Sequence, residues 1–135
     1  MTNKPFRIVL WILRIVAAII LLQTLYFKFS AAPESVYIFS ALGMEPWGRI
    51  MVGVLELIAA GLLLVPQTTV LGAMLGMGLM GGAVFSHVTK LGIVVMDDGG
   101  ALFILALIVF VSCFCLFIIL RKQVFSWVPF LFHKT

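Results

Sequence analysis

Four apolar runs, each long enough to cross a bilayer, fill most of this chain of 135 residues. They lie at about 8–27, 47–65, 70–88 and 101–120. A transmembrane helix needs about 20 mostly apolar residues, so each run predicts one span. Hydrophobic residues make up 64% of the chain, against roughly half in soluble domains, which leaves no room for a separate soluble domain. The sequence therefore predicts one all-α integral membrane domain over residues 1–135, a four-transmembrane-helix bundle.

The connections between the runs are short except for the first. In this connection, Pro33 can start a short helix that runs through Ala41 and is closed by Gly43. We expect it to be a short interfacial helix between helices 1 and 2. The fourth run stops at Arg121-Lys122, and the aromatic tail 121–135 is too short to cross again. This tail is predicted to lie in the membrane interface.

The basic residues indicate how the bundle is oriented. Four spans place both termini on one side, and the basic residues assigned to that side are Lys4, Arg7, Arg14, Arg121, Lys122 and Lys134. The other side has only Lys28, Arg49 and Lys90. The positive-inside rule then predicts that the N- and C-termini are cytoplasmic. We expect a multi-pass protein of the bacterial inner membrane. The basic residues are scattered singly, so no nucleic-acid partner is expected.

Glu56 lies about nine residues into the second span and is the most informative residue of the sequence. A charge at the bilayer centre costs at least ~2.5 kcal/mol, so Glu56 needs a partner or a proton. From the helical rise, Arg14 lies about 9 Å and Glu56 about 13 Å below the inner boundary. An Arg14–Glu56 ion pair is therefore the predicted contact, with Arg49 as the competing partner.

Several polar residues are predicted to meet in the outer half of the bundle. Gln23, Lys28, Arg49 and His87 all belong near the outer ends of their helices, and could line one cavity open toward the outer leaflet. Two interpretations remain. A buried ion pair can fix helix register without any chemistry. Alternatively, the cavity binds a small polar or quinone-like ligand, with Glu56 as proton acceptor and His87 or Arg49 contacting a carbonyl or anion.

Several cofactor classes lack their sequence signatures. His87, His133 and the Asp97-Asp98 pair do not have the spacing of metal ligands, so no metal is predicted. Cys113 and Cys115 point about 200° apart on a helix and cannot form a disulfide with each other. No haem-ligand pair, flavin motif or iron–sulfur spacing is present. A redox cofactor would therefore be a lipid-soluble molecule or would belong to a partner.

The third run is rich in glycine and suggests an alternative function. It contains two Gly-x-x-x-Gly pairs among Gly72, Gly76, Gly78, Gly81 and Gly82. Such glycines let another helix approach closely. The alternative is therefore a non-catalytic membrane interaction or assembly protein, as a homo-oligomer or with other membrane proteins. Intramembrane charge alone also suggests a small transporter, which would need a dimer because four spans make a thin wall.

A set of short motifs resembles a known family. Arg14 occurs in the first span, Lys28-Phe29 at its end, and Gly53-x-x-Glu56 in the second span, followed by Leu62-Leu63-Leu64-Val65-Pro66. The Gly-rich third span ends at His87. In this order and spacing the sequence resembles the DoxX and DoxX-like family of small four-span membrane proteins, over about residues 10–120.

The resemblance implies the fold and suggests a functional class. The family takes its name from a membrane subunit associated with a thiosulfate:quinone oxidoreductase, and other relatives are linked to membrane redox complexes or to membrane-protein assembly. We therefore expect a membrane subunit or accessory of a quinone-linked electron-transfer system, with a membrane or soluble oxidoreductase as partner. Relatives with thiol chemistry would carry cysteine pairs on the oxidising side, which this chain lacks. Whether it is an enzyme stays open, and the candidate site residues are Glu56, Arg14, Arg49, His87 and Lys28.

Overall fold

A computed structural model describes the backbone of residues 3–132 and the side chains of residues 3–122. This part of the chain forms five α-helices: α1 Lys4–Phe29, α2 Pro33–Ala41, α3 Trp47–Leu64, α4 Thr69–Ser86 and α5 Ala101–Phe132. Four segments are long and apolar enough to cross a membrane, namely Lys4–Phe29, Trp47–Leu64, Pro66–Leu91 and Ala101–Lys122. The predicted membrane bundle of four spans, with a short helix between the first two, is confirmed.

Two helix ends differ from the sequence prediction. α5 continues through Arg121 and Lys122 to Phe132, because these residues end the apolar run but are good helix formers. The last three residues of the predicted tail, 133–135, lie outside the described residues. At the other end of the bundle α4 passes into a π-helix, His87–Leu91, which is followed by Gly92 at φ +78°. Glycine adopts this left-handed conformation at little cost.

The four spanning helices pack as a ring. α1 and α4 each pack against both α3 and α5. At the closed end, where α1 and α4 begin, small side chains let the helices meet, among them Ala17, Ala59 and Ala73, all fully buried. At the cavity end, α1 and α4 finish and α3 and α5 begin. Here the four helices surround a cavity that lies beneath α2. The ring is therefore tight at one end and hollow at the other.

Only some of the α4 glycines serve helix packing. A Cβ added at Gly72 would lie 2.6 Å from the backbone nitrogen of Leu63, and one at Gly76 would lie 2.7 Å from Cys113 Sγ. These two glycines let α4 approach α3 and α5, as the sequence predicted for the run. A Cβ at Gly78 or Gly82 would meet nothing within 4 Å. Both residues instead line the cavity.

Gly72→Ala is expected to destabilise the bundle, whereas Gly61→Ala is not. The added methyl group at Gly72 meets the backbone of α3, which cannot move aside without repacking, at a cost of about 1–3 kcal/mol. Gly61 is also helical but has open space around it, so alanine there gains up to about 1 kcal/mol of helix propensity. Thermal unfolding midpoints in mild detergent measure both effects. Equal midpoints for the two variants would contradict this account of Gly72.

Candidate ligand-binding site

The cavity end of the bundle encloses a space of about 550 Å³. This volume lies within the range of roughly 300–1,000 Å³ that is usual for small-molecule pockets. Its wall is mostly apolar and comes from the four spanning helices and α2. The polar residues of the wall are Gln23, Thr24, Lys28, Glu34, Ser35, Glu56, Ser86, His87 and Asp98. An apolar chamber with a few polar groups suits a ligand that is largely lipid-soluble but has a polar end.

Glu56 and Lys28 form the central ion pair of this wall. Lys28 Nζ lies 3.1 Å from Glu56 Oε2, and the side chains are 14% and 2% exposed. The Thr24 hydroxyl donates to the same carboxylate oxygen at 3.0 Å, sharing its proton with the Leu21 carbonyl at 2.8 Å. Lys28 comes one helical turn after Thr24, so both project from one face of α1 toward α3. The buried carboxylate thus has a cation and a hydroxyl as partners.

The predicted Arg14–Glu56 ion pair is wrong. The Arg14 guanidinium donates to the Leu63 carbonyl at 2.7 Å and to the Leu64 carbonyl at 2.8 Å, and its Cζ lies 3.7 Å from the centre of the Trp11 ring. The last carbonyls of a helix have no donor within the helix and attract cations. The end of α3 therefore competes successfully for Arg14, about two turns away from Glu56 along α3.

The alternative Arg49–Glu56 pair is wrong as well. Arg49 Nε lies 2.9 Å from Glu45 Oε1, four residues earlier, and Nη1 donates to the Lys28 carbonyl at the end of α1. Arg49 and Glu56 share a stripe of α3 but are seven residues apart, about 10 Å along the axis. Arg49 does not line the cavity. Arg14 and Arg49 therefore serve matching structural roles, each binding carbonyls at the end of the other's helix.

His87 borders the cavity at the start of the π-helix and is only 5% exposed. Its Nδ1 lies 2.9 Å from the Gly92 carbonyl, and its ring meets the Phe103 ring edge to face at 5.7 Å. A carbonyl oxygen can only accept, so Nδ1 carries the proton of this hydrogen bond. In the neutral ring Nε2 is then a hydrogen-bond acceptor. Single π-helical turns are frequent at functional sites.

Asp98 was not among the candidate site residues, yet it lines the cavity and organises the start of α5. Its carboxylate accepts backbone N–H groups of Val95 at 3.0 Å, Gly100 at 2.8 Å and Leu102 at 3.2 Å. Burial alone would raise the pKa of Asp98, but the three backbone N–H donors hold the pKa below its ordinary value. The ionised carboxylate thus fixes the loop that follows His87.

Asp98→Asn is expected to lower the free energy of unfolding by about 1 kcal/mol near neutral pH, because the amide keeps fewer acceptor sites for these N–H groups. Since the folded-state pKa of Asp98 is depressed, its stabilisation is full above the unfolded pKa of about 3.8 and is lost as pH falls through the folded value. The difference in thermal midpoint between the two proteins should therefore be largest at about pH 7 and shrink below about pH 4. A difference that does not change with pH would contradict the assignment.

The structure brings together the short motifs that stood apart in the sequence. Besides the Lys28–Glu56 pair, the Phe29 ring packs on Gly53, where an added Cβ would lie 2.8 Å from the ring. A family model described as the DoxX-like family matches residues 12–115, more than half of the chain. The chain belongs to the DoxX-like family. The comparison with curated proteins and the comparison with solved structures each returned no match. In this DoxX-like protein, the motif residues of α1 and α3 therefore form one contact surface.

The DoxX-like cavity includes some of the predicted residues and excludes others. Glu56, Lys28, His87 and Gln23 line it, whereas Arg14 and Arg49 do not. Besides Asp98, residues such as Thr24 and Ser35 belong to the wall without having been singled out from the sequence. Thr24 could have been found from its position one turn before Lys28. Ser35 had no such signal, because its place depends on how α2 folds over the bundle.

Proposed function

We propose that this protein is a membrane subunit or accessory of a quinone-linked electron-transfer system and that its cavity binds a lipid-soluble, quinone-type ligand. The observation that carries this proposal is the apolar cavity of about 550 Å³ with the Lys28–Glu56 pair in its wall, in which the carboxylate is buried and the lysine is partly buried. The apolar wall suits a ring and a hydrocarbon tail. The Lys28 ammonium has further protons to donate to a ligand oxygen, and Glu56 can accept a hydrogen bond.

Two features favour ligand binding, one over a purely structural ion pair and one over an interaction protein. A pair that only fixes helix register is expected to be enclosed by packed side chains. Here both partners line a cavity, and the buried His87 lines the same cavity. The alternative of an interaction protein rested on the glycines of α4, but Gly72 and Gly76 make their close contacts inside the chain itself.

The charge distribution supports a bacterial inner-membrane location with both termini in the cytoplasm. In that orientation the cavity lies in the periplasmic half of the bilayer, beneath α2. A lipid-soluble ligand would then exchange with the outer leaflet. A partner oxidoreductase would be either another membrane protein or a soluble protein that docks at the membrane surface.

The proposal is tested by identifying small molecules that co-purify with the protein in mild detergent. Wild type is expected to retain a quinone-type lipid, and Glu56→Gln to lose most of it, because the substitution removes the charge that holds Lys28 in the wall. Glu45→Gln is the matched control. It makes the same chemical change in a carboxylate that is also paired with a cation at the same end of the bundle, but outside the cavity wall.

Mass spectrometry of extracted lipids gives the readout for all three proteins, normalised to protein amount. Equal retention by wild type and Glu45→Gln, with loss in Glu56→Gln, supports the cavity as the binding site. Ordinary phospholipid alone in every sample, together with a lower unfolding temperature for Glu56→Gln, would contradict the proposal. Glu56 would then be a structural charge.

A further inference from the structure

Two acceptor atoms, one in each of two buried residues of the cavity wall, have no hydrogen bond in the part of the chain whose side chains are described. His87 uses Nδ1 for its hydrogen bond to the Gly92 carbonyl, which leaves the acceptor Nε2 without a hydrogen bond in a residue that is 5% exposed. Lys28 Nζ and the Thr24 hydroxyl both lie within hydrogen-bond distance of Glu56 Oε2, and Oε1 has no hydrogen bond in a residue that is 1% exposed. Buried polar atoms normally have a partner, so these two acceptors define the hydrogen-bonding character of a ligand that the cavity can hold.

We infer that the cavity selects a ligand that donates hydrogen bonds, so that the reduced, hydroxyl-bearing hydroquinone binds more tightly than the quinone. This inference rests on the proposed function and specifies the form of the ligand. A quinone carbonyl can only accept and leaves Nε2 of His87 and Oε1 of Glu56 unpaired. A phenolic hydroxyl can donate to either atom.

The ammonium of Lys28 does not reverse this preference. A hydroxyl oxygen accepts hydrogen bonds as well as donating them, so a hydroquinone can receive a proton of Lys28 and donate its own to Glu56. A quinone satisfies Lys28 alone. Lys28 also already has a partner in Glu56, 3.1 Å away, and its side chain is 14% exposed, whereas the two acceptors are nearly enclosed.

His87 is held in this role by the main chain. The Gly92 carbonyl fixes the proton on Nδ1, and Phe103 packs against the ring. Gly92 follows the π-helix at φ +78°, and the loop beyond it is held by the Asp98 carboxylate. This arrangement fixes the orientation of the His87 ring, and His87 is one of the residues that line the cavity.

The inference is tested with three probes that share a decyl tail: a benzohydroquinone, the matching benzoquinone, and the dimethyl ether of the hydroquinone, which has no donor. Binding to the full chain in mild detergent is measured by calorimetry without oxygen. The hydroquinone is expected to bind at least about tenfold more tightly than either other probe, the loss that follows when buried acceptors go unpaired. His87→Phe should reduce this preference severalfold. Thr89→Val, an exposed change on the same π-helix, should leave it unchanged.

Each alternative result has a separate meaning. Equal or tighter binding of the quinone, or equal binding of the dimethyl ether, overturns the inference while the proposed function stands. A preference for hydroquinone that survives His87→Phe in full overturns the role of His87. No binding of any probe overturns the proposed function and this inference with it.

Discussion

Lys28→Met is expected to lower the free energy of unfolding by about 3–5 kcal/mol, because it leaves the Glu56 carboxylate buried without its cation. Thr24 remains as the only described side-chain partner, and one shared hydroxyl proton cannot replace the Lys28 charge. Methionine keeps much of the length of the lysine stem, so little packing is lost. Chemical unfolding in mild detergent, followed by circular dichroism, measures the change.

The double variant Lys28→Met/Glu56→Gln separates lost charge from lost packing. It should recover most of the stability, because a neutral amide is much cheaper to bury than an unpaired carboxylate. Lys90→Met, a change of the same kind at an exposed position, should have little effect. If the double variant is as unstable as the sum of its single changes, the Lys28–Glu56 pair does not account for the loss.

Arg14→Met is expected to cost roughly 3 kcal/mol, through a different mechanism. It removes two charge-assisted hydrogen bonds to the carbonyls of Leu63 and Leu64, and a cation–π contact with Trp11. Leu63 keeps a weaker bond from the Thr69 hydroxyl at 3.3 Å, which limits the loss. The same unfolding measurement gives the value.

Arg7→Met is the matched control for Arg14→Met. Arg7 lies two turns earlier on α1 and is exposed, so its replacement should change stability by less than about 1 kcal/mol. Ligand retention offers a second comparison, since Arg14 lies outside the cavity wall. The placement of Lys28 in the cavity wall and of Arg14 outside it would be contradicted if a folded Arg14→Met protein lost the ligand while Lys28→Met retained it.

The spans and their order were predictable from the sequence because apolar length alone decides where a helix can cross a bilayer. The short α2 was predictable from Pro33 and Gly43, which mark its start and the turn after its end. The extent of α5 was not, since Arg121 and Lys122 end an apolar run without ending a helix. Composition reports the membrane boundary, whereas hydrogen bonding decides the helix boundary.

The cavity residues were only partly predictable, and the partners of the charges were predicted wrongly. The similar depths of Arg14 and Glu56 in the membrane suggested that the two form an ion pair. A comparison of depths does not include the backbone carbonyls at helix ends, which are strong hydrogen-bond acceptors within reach of a long side chain. Lys28 was identified as a site residue but not as the partner of Glu56. Asp98 acts through backbone donors whose arrangement depends on the folded loop, and nothing in the spacing of the sequence indicates that arrangement.

Photo-crosslinking with a quinone derivative shows whether a quinone-type molecule occupies the cavity. An azido-quinone is photolysed with the protein in membranes, and the modified residues are located by peptide mass spectrometry. Label is expected on cavity residues such as Leu79 and Leu105, and excess decyl-quinone should prevent this labelling. Label confined to lipid-facing residues such as Ile19 and Ile58, and unchanged by the competitor, would mean that the cavity does not bind quinone.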